Sequence, residues 1–481
     1  MFSDYSGNIC VRLTAVSTTN RMLPAGISQR LQPIAEKIDH MLLGRDNAAI
    51  AQRITVFAFL VRIVSAAIAL ISQVILARMM GMFEYGIFVL VWTAMVIAGN
   101  ITCFGFQVSI IRFVPQYREQ GDLDRLRGVI YASRMMVFMI STVLAIAGLA
   151  LVQTFSEIMP VYYIAPFLLG IVLLPMIAMG DYVAGLSRSQ GWAMLSLLPV
   201  YIVRPVLILV FVIGAIWAGY APTANNALLA SIAACYVATL GSLIQALRST
   251  PIEHKKGPRK LELKTWFAVS LPIFLVEGFY FTMTNADVLM VGAYMQPEQV
   301  AVYFAAVKIL ALVHFVNFAV RAGAAQRFST LLHSGDRTQL SVFARQTVNW
   351  VFWPSLFMAI IMVLLGQDLL RLFGGEFVDG YKLMVILAIG IVLRAAVGPC
   401  ESVLTMTGQE RICALAYGVA LGVNLGLNVL LIPIYGLIGA ALATALAMAV
   451  EAIMLSIIVK QRAGIVMFVL APFFSAPSAK V

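Results

Sequence analysis

Apolar residues along this chain gather into twelve long runs, near 54–77, 86–111, 129–153, 160–181, 195–219, 225–247, 266–291, 299–320, 348–366, 383–404, 412–433 and 437–459. A bilayer core about 30 Å thick takes roughly 20 helical residues to cross, and every run meets that length. None shows the apolar–polar alternation of a barrel strand, and only helices and closed barrels satisfy their own backbone in lipid. The pattern therefore predicts an all-α integral membrane protein with twelve transmembrane helices. Composition strengthens the prediction: of 481 residues, 61% are hydrophobic and 11% charged, against roughly 45 to 50% and 25% in soluble domains.

Charge between the runs sets the orientation. Of the 33 Lys and Arg residues, 25 fall in the N-terminal segment, in the loops after the even-numbered spans and in the C-terminal segment. Arg78, Arg371 and Lys382 are the three on the opposite side. Because basic residues are retained in cytoplasmic loops, both ends are predicted to be cytoplasmic. The same distribution accounts for the net charge of +11 without a nucleic-acid partner, since the basic residues flank spans, where they meet anionic headgroups. The longest basic loop divides the chain into a tail at 1–52, a six-helix half at 53–247, a linker at 248–265, a second six-helix half at 266–460 and a tail at 461–481. Gly81 and Arg112 in the first half are echoed by Gly292 and Arg321 in the second, a weak internal symmetry of the kind that repeat-built transporters show. Residues 34–43 could form an amphipathic surface helix or part of a loosely ordered tail.

No phosphate-binding loop, HExxH or GxSxG motif occurs, and the four histidines, His40, His254, His314 and His333, do not cluster in sequence. Five cysteines without CxxC spacing read as small apolar residues rather than as disulfides or metal ligands. No cofactor or metal is expected, and transport would draw on a gradient, a partner or the downhill flow of the cargo. Ionisable residues inside a span are costly and mark cavities or ion pairs. The deep cations are Arg62, Arg204, Lys308 and Arg394; the deep anions are Glu277, Asp287 and Glu451. The small positive surplus suits an anionic substrate. Arg62, Arg204, Lys308 and Arg394 are therefore the expected substrate-binding residues, although the same groups could pair off with Glu277, Asp287 and helix carbonyls. Glu277, with Thr284 on nearly the same helix face, and Asp287 are the expected sites of proton or sodium coupling. Arg134, Asp181 and Glu401 lie near the cytoplasmic ends of their spans and are set apart as snorkelling or interfacial groups. Glu451 either snorkels or forms a structural pair.

The run Leu76-Ala77-Arg78-Met79-Met80-Gly81-Met82-Phe83-Glu84-Tyr85-Gly86-Ile87-Phe88 resembles the first hairpin of polysaccharide exporters of the multidrug/oligosaccharidyl-lipid/polysaccharide (MOP) flippase superfamily. Three further segments are similar to that family: Ala286-Asp287-Val288-Leu289-Met290, Leu372-Phe373-Gly374-Gly375-Glu376-Phe377, and Asn424 to Thr444 with Asn428, Pro433 and Gly436. The resemblance implies a MATE-like fold of two pseudo-symmetric six-helix bundles around a central cavity. It also implies alternating access and movement of a polyprenyl-diphosphate-linked oligosaccharide from the inner to the outer leaflet of a bacterial cytoplasmic membrane, for O-antigen, capsule or exopolysaccharide assembly. The related lipid II flippases use cavity arginines similar in kind to Arg62 and Arg204. Expected partners are the glycolipid, membrane lipids, and the polymerase and chain-length proteins of such a pathway. The rival readings are a cation-coupled multidrug antiporter of the same superfamily and, from another class, a membrane-integral glycan polymerase, ligase or scaffold. Against the last, the longest loop on the basic-poor side, about 367–382, is short.

Overall fold

The computed structural model describes residues 47–251, 257–334 and 336–469. The chain divides into two compact units, Met1–Ser65 and Ala66–Val481. The surface helix expected at 34–43, His40, His254 and most of the tail at 1–52 lie outside the described residues. In the first unit, residues 47–65 are helical, and the Ser65 hydroxyl donates to the Arg62 carbonyl at 2.8 Å.

Helix α1 (Asn47–Thr102) is interrupted at Gly81, whose φ of 76° and ψ of 168° lie where a side chain would be strained. The chain continues through α2 (Phe106–Glu119), α3 (Leu123–Thr154), α4 (Val161–Ser189), α5 (Ala193–Leu198), α6 (Arg204–Trp217) and α7 (Ala224–Ser249). The second half holds α8 (Leu263–Met283), α9 (Ala286–Tyr294), α10 (Pro297–Ser334), α11 (Arg337–Leu364), α12 (Gly366–Phe373), α13 (Tyr381–Ala395), α14 (Cys400–Met406), α15 (Glu410–Tyr435) and α16 (Leu437–Ala463). Short polar residues start several of them: Asp122, Thr223 and Asp336 each accept from a backbone N–H three residues on. Among the described residues eleven stretches are long and apolar enough to cross a membrane; the first, Val61–Glu119, has 59 residues. A straight helix of that length would measure roughly 90 Å, about three bilayer cores. The Gly81 interruption makes it two crossings, which gives the expected twelve.

Four spans are irregular within the apolar zone. Residues 103–105 separate α1 from α2, with Phe104 at φ 46° and Gly105 at φ 76°. A π-helical turn, Pro199–Val203, joins α5 to α6, and the Arg204 N–H reaches back five residues to the Pro199 carbonyl. Pro205 explains the wider turn, because it has no N–H and its ring crowds the preceding turn. Span seven, expected as one helix over 266–291, breaks at Thr284 and Asn285, where the Asn285 amide donates to the Phe281 carbonyl at 2.9 Å. Span ten, expected over 383–404, breaks between Ala395 and Cys400, at Gly398 with φ 63° and at Pro399. The segment after α16 fills this second break. Ile465 and Met467 are buried, and the Val469 N–H donates to the Ala396 carbonyl at 2.9 Å. The remainder of the expected tail, 470–481, lies outside the described residues.

Helices α2–α7 pack chiefly on one another, as do α8–α16. At the end bearing the basic-poor loops α1 meets the second set closely. A Cβ on Gly86 would lie 1.8 Å from the Pro297 carbonyl oxygen, so glycine alone permits this approach. Tyr85 sits edge-on to Phe304 and Phe377, at 6.2 and 6.3 Å between centroids, and Arg78 donates to the Leu372 and Arg371 carbonyls at 2.5 and 3.0 Å. At the basic end the contacts mix polar and aromatic pairs: Trp266 Nε1 donates to the Tyr117 hydroxyl at 3.0 Å, the hydroxyls of Ser109 and Ser270 are 2.6 Å apart, and the Phe104 ring stacks on Phe274 at 5.0 Å between centroids, with Phe106 edge-on to Phe267 at 5.5 Å.

Gly86→Val should force the halves apart at the basic-poor end. Spin labels at Phe83→Cys and Leu372→Cys, on opposite sides of this contact, should report a single short distance in the parent and a longer, broader distribution in the variant.

Candidate functional site

Five of the seven deep ionisable residues, Arg204, Asp287, Lys308, Arg394 and Glu451, fall into three groups, each beside a break in a helix. In the first half, Arg204 opens α6 directly after the π turn. Its guanidinium stands 5.7 Å from the Trp92 ring centroid, an arrangement in which the ring face attracts the cation. Asp181 on α4 and Cys235 on α7 lie within its electrostatic reach. The Arg204 Nε is buried and donates to no acceptor among the described residues. A donor withheld from water without a partner is unfavourable, so this N–H is poised for an acceptor brought in from outside the chain.

The second group surrounds a cavity of about 260 Å³ in the second half, lined by residues that include Thr284, Asn285, Asp287, Lys308, His314 and Thr444. Span seven breaks at its wall. Asp287 occupies the first turn of α9, where the helix dipole favours negative charge. It accepts from the Tyr303 hydroxyl at 2.8 Å and from the Val288 N–H at 2.9 Å. Tyr303 also lies 3.4 Å from the Thr444 hydroxyl, which accepts from Asn424 Nδ2 at 3.5 Å. Asn428 donates to Asn424 Oδ1 at 3.1 Å, while its own Oδ1 has no hydrogen-bond partner. Lys308, its ammonium 4.7 Å from the Phe304 ring centroid, supplies positive charge within reach of Asp287. The outcome is a buried carboxylate in a small polar cavity with hydroxyl, amide and ammonium neighbours. Such a site can exchange a proton or hold a small cation.

The third group is a buried ion cluster at the break in span ten. Arg394 donates through Nε to Glu451 at 2.5 Å, through Nη2 to Glu401 at 2.9 Å and through Nη1 to the Gly398 carbonyl at 3.0 Å. All three charged residues are less than a tenth exposed. The expectation that Arg394 faces substrate gives way here, because its guanidinium is taken up by two carboxylates and a carbonyl freed by the helix break. Glu451, for which snorkelling or pairing was open, forms the pair. Glu401 was set apart as interfacial, yet it is 3% exposed. Of the other expected residues, Arg62 lies in the first unit. Glu277 is half-buried on α8, engaged in interactions of its own, and is not among the residues lining the cavity. His314, Tyr303, Trp92, Asn424 and Asn428 were not singled out as site residues.

Comparison with known proteins gives the following. The family model described as polysaccharide biosynthesis protein matches residues 53–324, and the MatE model matches 272–430. Among solved structures, the inward-facing conformation of a multidrug resistance MATE family transporter of the MOP superfamily aligns with a TM-score of 0.69 at 14% identity, covering 83% of this chain and 94% of the other. The lipid II flippase MurJ in an inward closed conformation aligns at 0.63 and 16%, covering 84% and 87%. A MOP superfamily transporter from Pyrococcus furiosus, described by the reverse polarity of its binding pocket, aligns at 0.63 and 12%, covering 88% and 97%. No match was found among curated proteins. At such identities the structural likenesses establish the fold: a MATE-like arrangement of twelve helices.

Removing one partner of a buried ion pair typically costs about 3 to 5 kcal/mol because it strands the other charge. Arg394→Gln strands two carboxylates and should lower the unfolding temperature in detergent sharply. Glu451→Gln leaves the Arg394–Glu401 pair in place and should lower it far less.

Proposed function

The chain belongs to the polysaccharide biosynthesis protein family and is a transporter of the MOP superfamily rather than an enzyme, and we propose from this premise that its cargo is a polyprenyl-diphosphate-linked oligosaccharide. The cargo crosses from the inner to the outer leaflet of a bacterial cytoplasmic membrane during assembly of a surface polysaccharide. The observation that carries the reading is the open, buried Nε donor of Arg204, held over Trp92 inside the apolar zone. A guanidinium with a free N–H is the group best suited to a diphosphate oxygen. Arg62 is the second proposed diphosphate contact, and Lys308 adds positive charge in the second half. The polyprenyl tail stays in lipid while the sugars follow the hydrated path.

Both termini are cytoplasmic in this reading, so the tight contacts around Gly86 and Tyr85 close the extracytoplasmic end. Alternating access then consists of parting those contacts while the polar Trp266–Tyr117 and Ser109–Ser270 contacts tighten or shift at the cytoplasmic end. The energy source is an ion taken up at Asp287, a proton or sodium, in preference to Glu277, because Asp287 lines the cavity beside a broken helix and Glu277 does not. The polymerase and chain-length proteins of the pathway are the proposed downstream partners.

Replacing both Arg62 and Arg204 by Gln should reduce glycan export at least tenfold, as expected for loss of charge-assisted bonds to a diphosphate, with protein level unchanged; intact export would refute the assignment. Asp287→Asn should leave glycolipid binding in place and abolish the dependence of export on the ion gradient. A gradient response that survives this substitution would exclude Asp287 as the coupling site.

A further inference from the structure

A fourth polar feature lies apart from these sites, at the basic end of the first half. Arg127, Arg134 and Arg259 converge on a pocket of about 170 Å³, with Tyr131, Leu247 and Thr250 also in its lining. Thr250 and Arg259, from the described parts of the chain that links the two halves, line one side of it, and residues 258–262 are fastened to the start of α3. The Lys260 N–H donates to the Asp124 carbonyl at 3.0 Å, and Arg125 pairs with Glu262 at 2.8 Å. Arg127 pairs with Asp124 at 2.8 Å and reaches the Pro258 carbonyl at 3.5 Å. Gly128 allows the close approach, since a Cβ there would meet the Lys260 carbonyl oxygen at 2.0 Å. The Arg259 guanidinium lies 4.2 Å over the Tyr131 ring centroid.

The charges in this pocket do not balance. Asp124 offsets Arg127, and Glu262 offsets Arg125 outside the pocket. Among the described residues no carboxylate pairs with Arg134 or Arg259. Two unpaired guanidinium groups facing one small cavity repel each other unless an anion lies between them. The apolar part of the lining identifies the kind of anion. Tyr131 and Leu247 are partly exposed on helix surfaces that carry Phe138, Met139, Leu240 and Ile244 further along, all at least two-fifths exposed. These rows of exposed apolar residues are where acyl chains lie. An anion that enters here therefore presents its charge to the arginines and its chains to α3 and α7.

We propose that this pocket binds the phosphate of an anionic membrane lipid, with Arg134 and Arg259 as the main phosphate ligands, Arg127 as a third cation, and the lipid's chains along α3 and α7. Basic pockets between transmembrane helices at a cytoplasmic surface have this use generally. The inference rests on the sidedness given under Proposed function, which makes this the cytoplasmic leaflet. Because Arg259 of the linker is one of the ligands, an occupied pocket ties it to the first half, so lipid occupancy bears on the segment through which the two halves are joined.

The test uses the full-length protein, purified and delipidated in detergent, and follows retention of added lipid by native mass spectrometry. Dioleoylphosphatidylglycerol should be retained as one tight copy, while dioleoylphosphatidylcholine at the same concentration should not. Arg134→Gln with Arg259→Gln should weaken retention about tenfold or more. Arg259→Gln alone, on the exposed linker, should give a smaller loss of the same sign and guards against misfolding of the double variant. Inorganic phosphate at the lipid's concentration should not displace the lipid. Equal retention of phosphatidylglycerol by parent and double variant, or equal retention of phosphatidylcholine, would overturn the proposal. Displacement by inorganic phosphate would overturn it in favour of a free-anion site, and displacement by undecaprenyl phosphate at far lower concentration in favour of a docking point for the cargo. Retention requires no transport, so its failure leaves the transport reading standing, and failure of export in the Arg62 and Arg204 variants leaves this one standing.

Discussion

The constraint on which the structure depends is that no backbone N–H or carbonyl in the hydrocarbon zone can turn to water. An unbroken helix satisfies it automatically; a broken one must find substitutes. In three of the four irregular spans a side chain, a following segment or a lengthened turn supplies them. The Asn285 amide takes the Phe281 carbonyl, Arg394 takes the Gly398 carbonyl, the Val469 N–H takes the Ala396 carbonyl, and at the π turn the Arg204 N–H reaches the Pro199 carbonyl. The polar groups that repair the backbone are the same groups that gather ionisable residues in the membrane. Asp287, Arg394 with Glu401, and Arg204 all sit within a few residues of a break, and Lys308, Glu451 and Trp92 meet them from neighbouring helices.

The two halves differ in what they offer. The first half presents an arginine with an open donor on an aromatic face, which suits recognition of a phosphate. The second presents a buried carboxylate in a hydroxyl- and amide-lined cavity, which suits a proton or a small cation. The Arg394 cluster is internally paired at every guanidinium nitrogen and serves to hold span ten together around its break. Under the proposed function, with cargo bound in one half and an ion in the other, one half's occupancy would bias the contacts between halves, provided the two arrangements differ in energy by only a few kcal/mol.

The fold was legible because its signals are long and redundant: runs of apolar residues, basic loops on one side, and a glycine at the first hairpin. The breaks were legible only in hindsight. Gly398-Pro399 within an apolar run is a break signal, and Asn285 before Asp287 marks a helix start, yet hydropathy averages over both. Glu401 illustrates the consequence. Counted along a continuous helix it falls near the membrane surface, whereas in the structure it turns inward to Arg394, seven residues earlier in the chain. The Arg394–Glu451 pair spans 57 residues, and no local pattern encodes such a contact. No sequence cluster marks His314, because its cavity neighbours Asp287 and Lys308 come from another helix and another turn. A positive surplus in the spans marks Arg204, whose Nε is open, and Arg394, which is already paired, alike, since a charge count cannot see partners.

The central claim is that an anionic glycolipid, and not a cationic drug, is the cargo. The most direct measurement is reconstitution in liposomes, following transbilayer movement of a polyprenyl-diphosphate oligosaccharide alongside uptake of a cationic dye, each with and without a proton or sodium gradient. The account predicts glycolipid movement that depends on Arg204 and no dye uptake. Gradient-driven dye uptake with no movement of the glycolipid would contradict it.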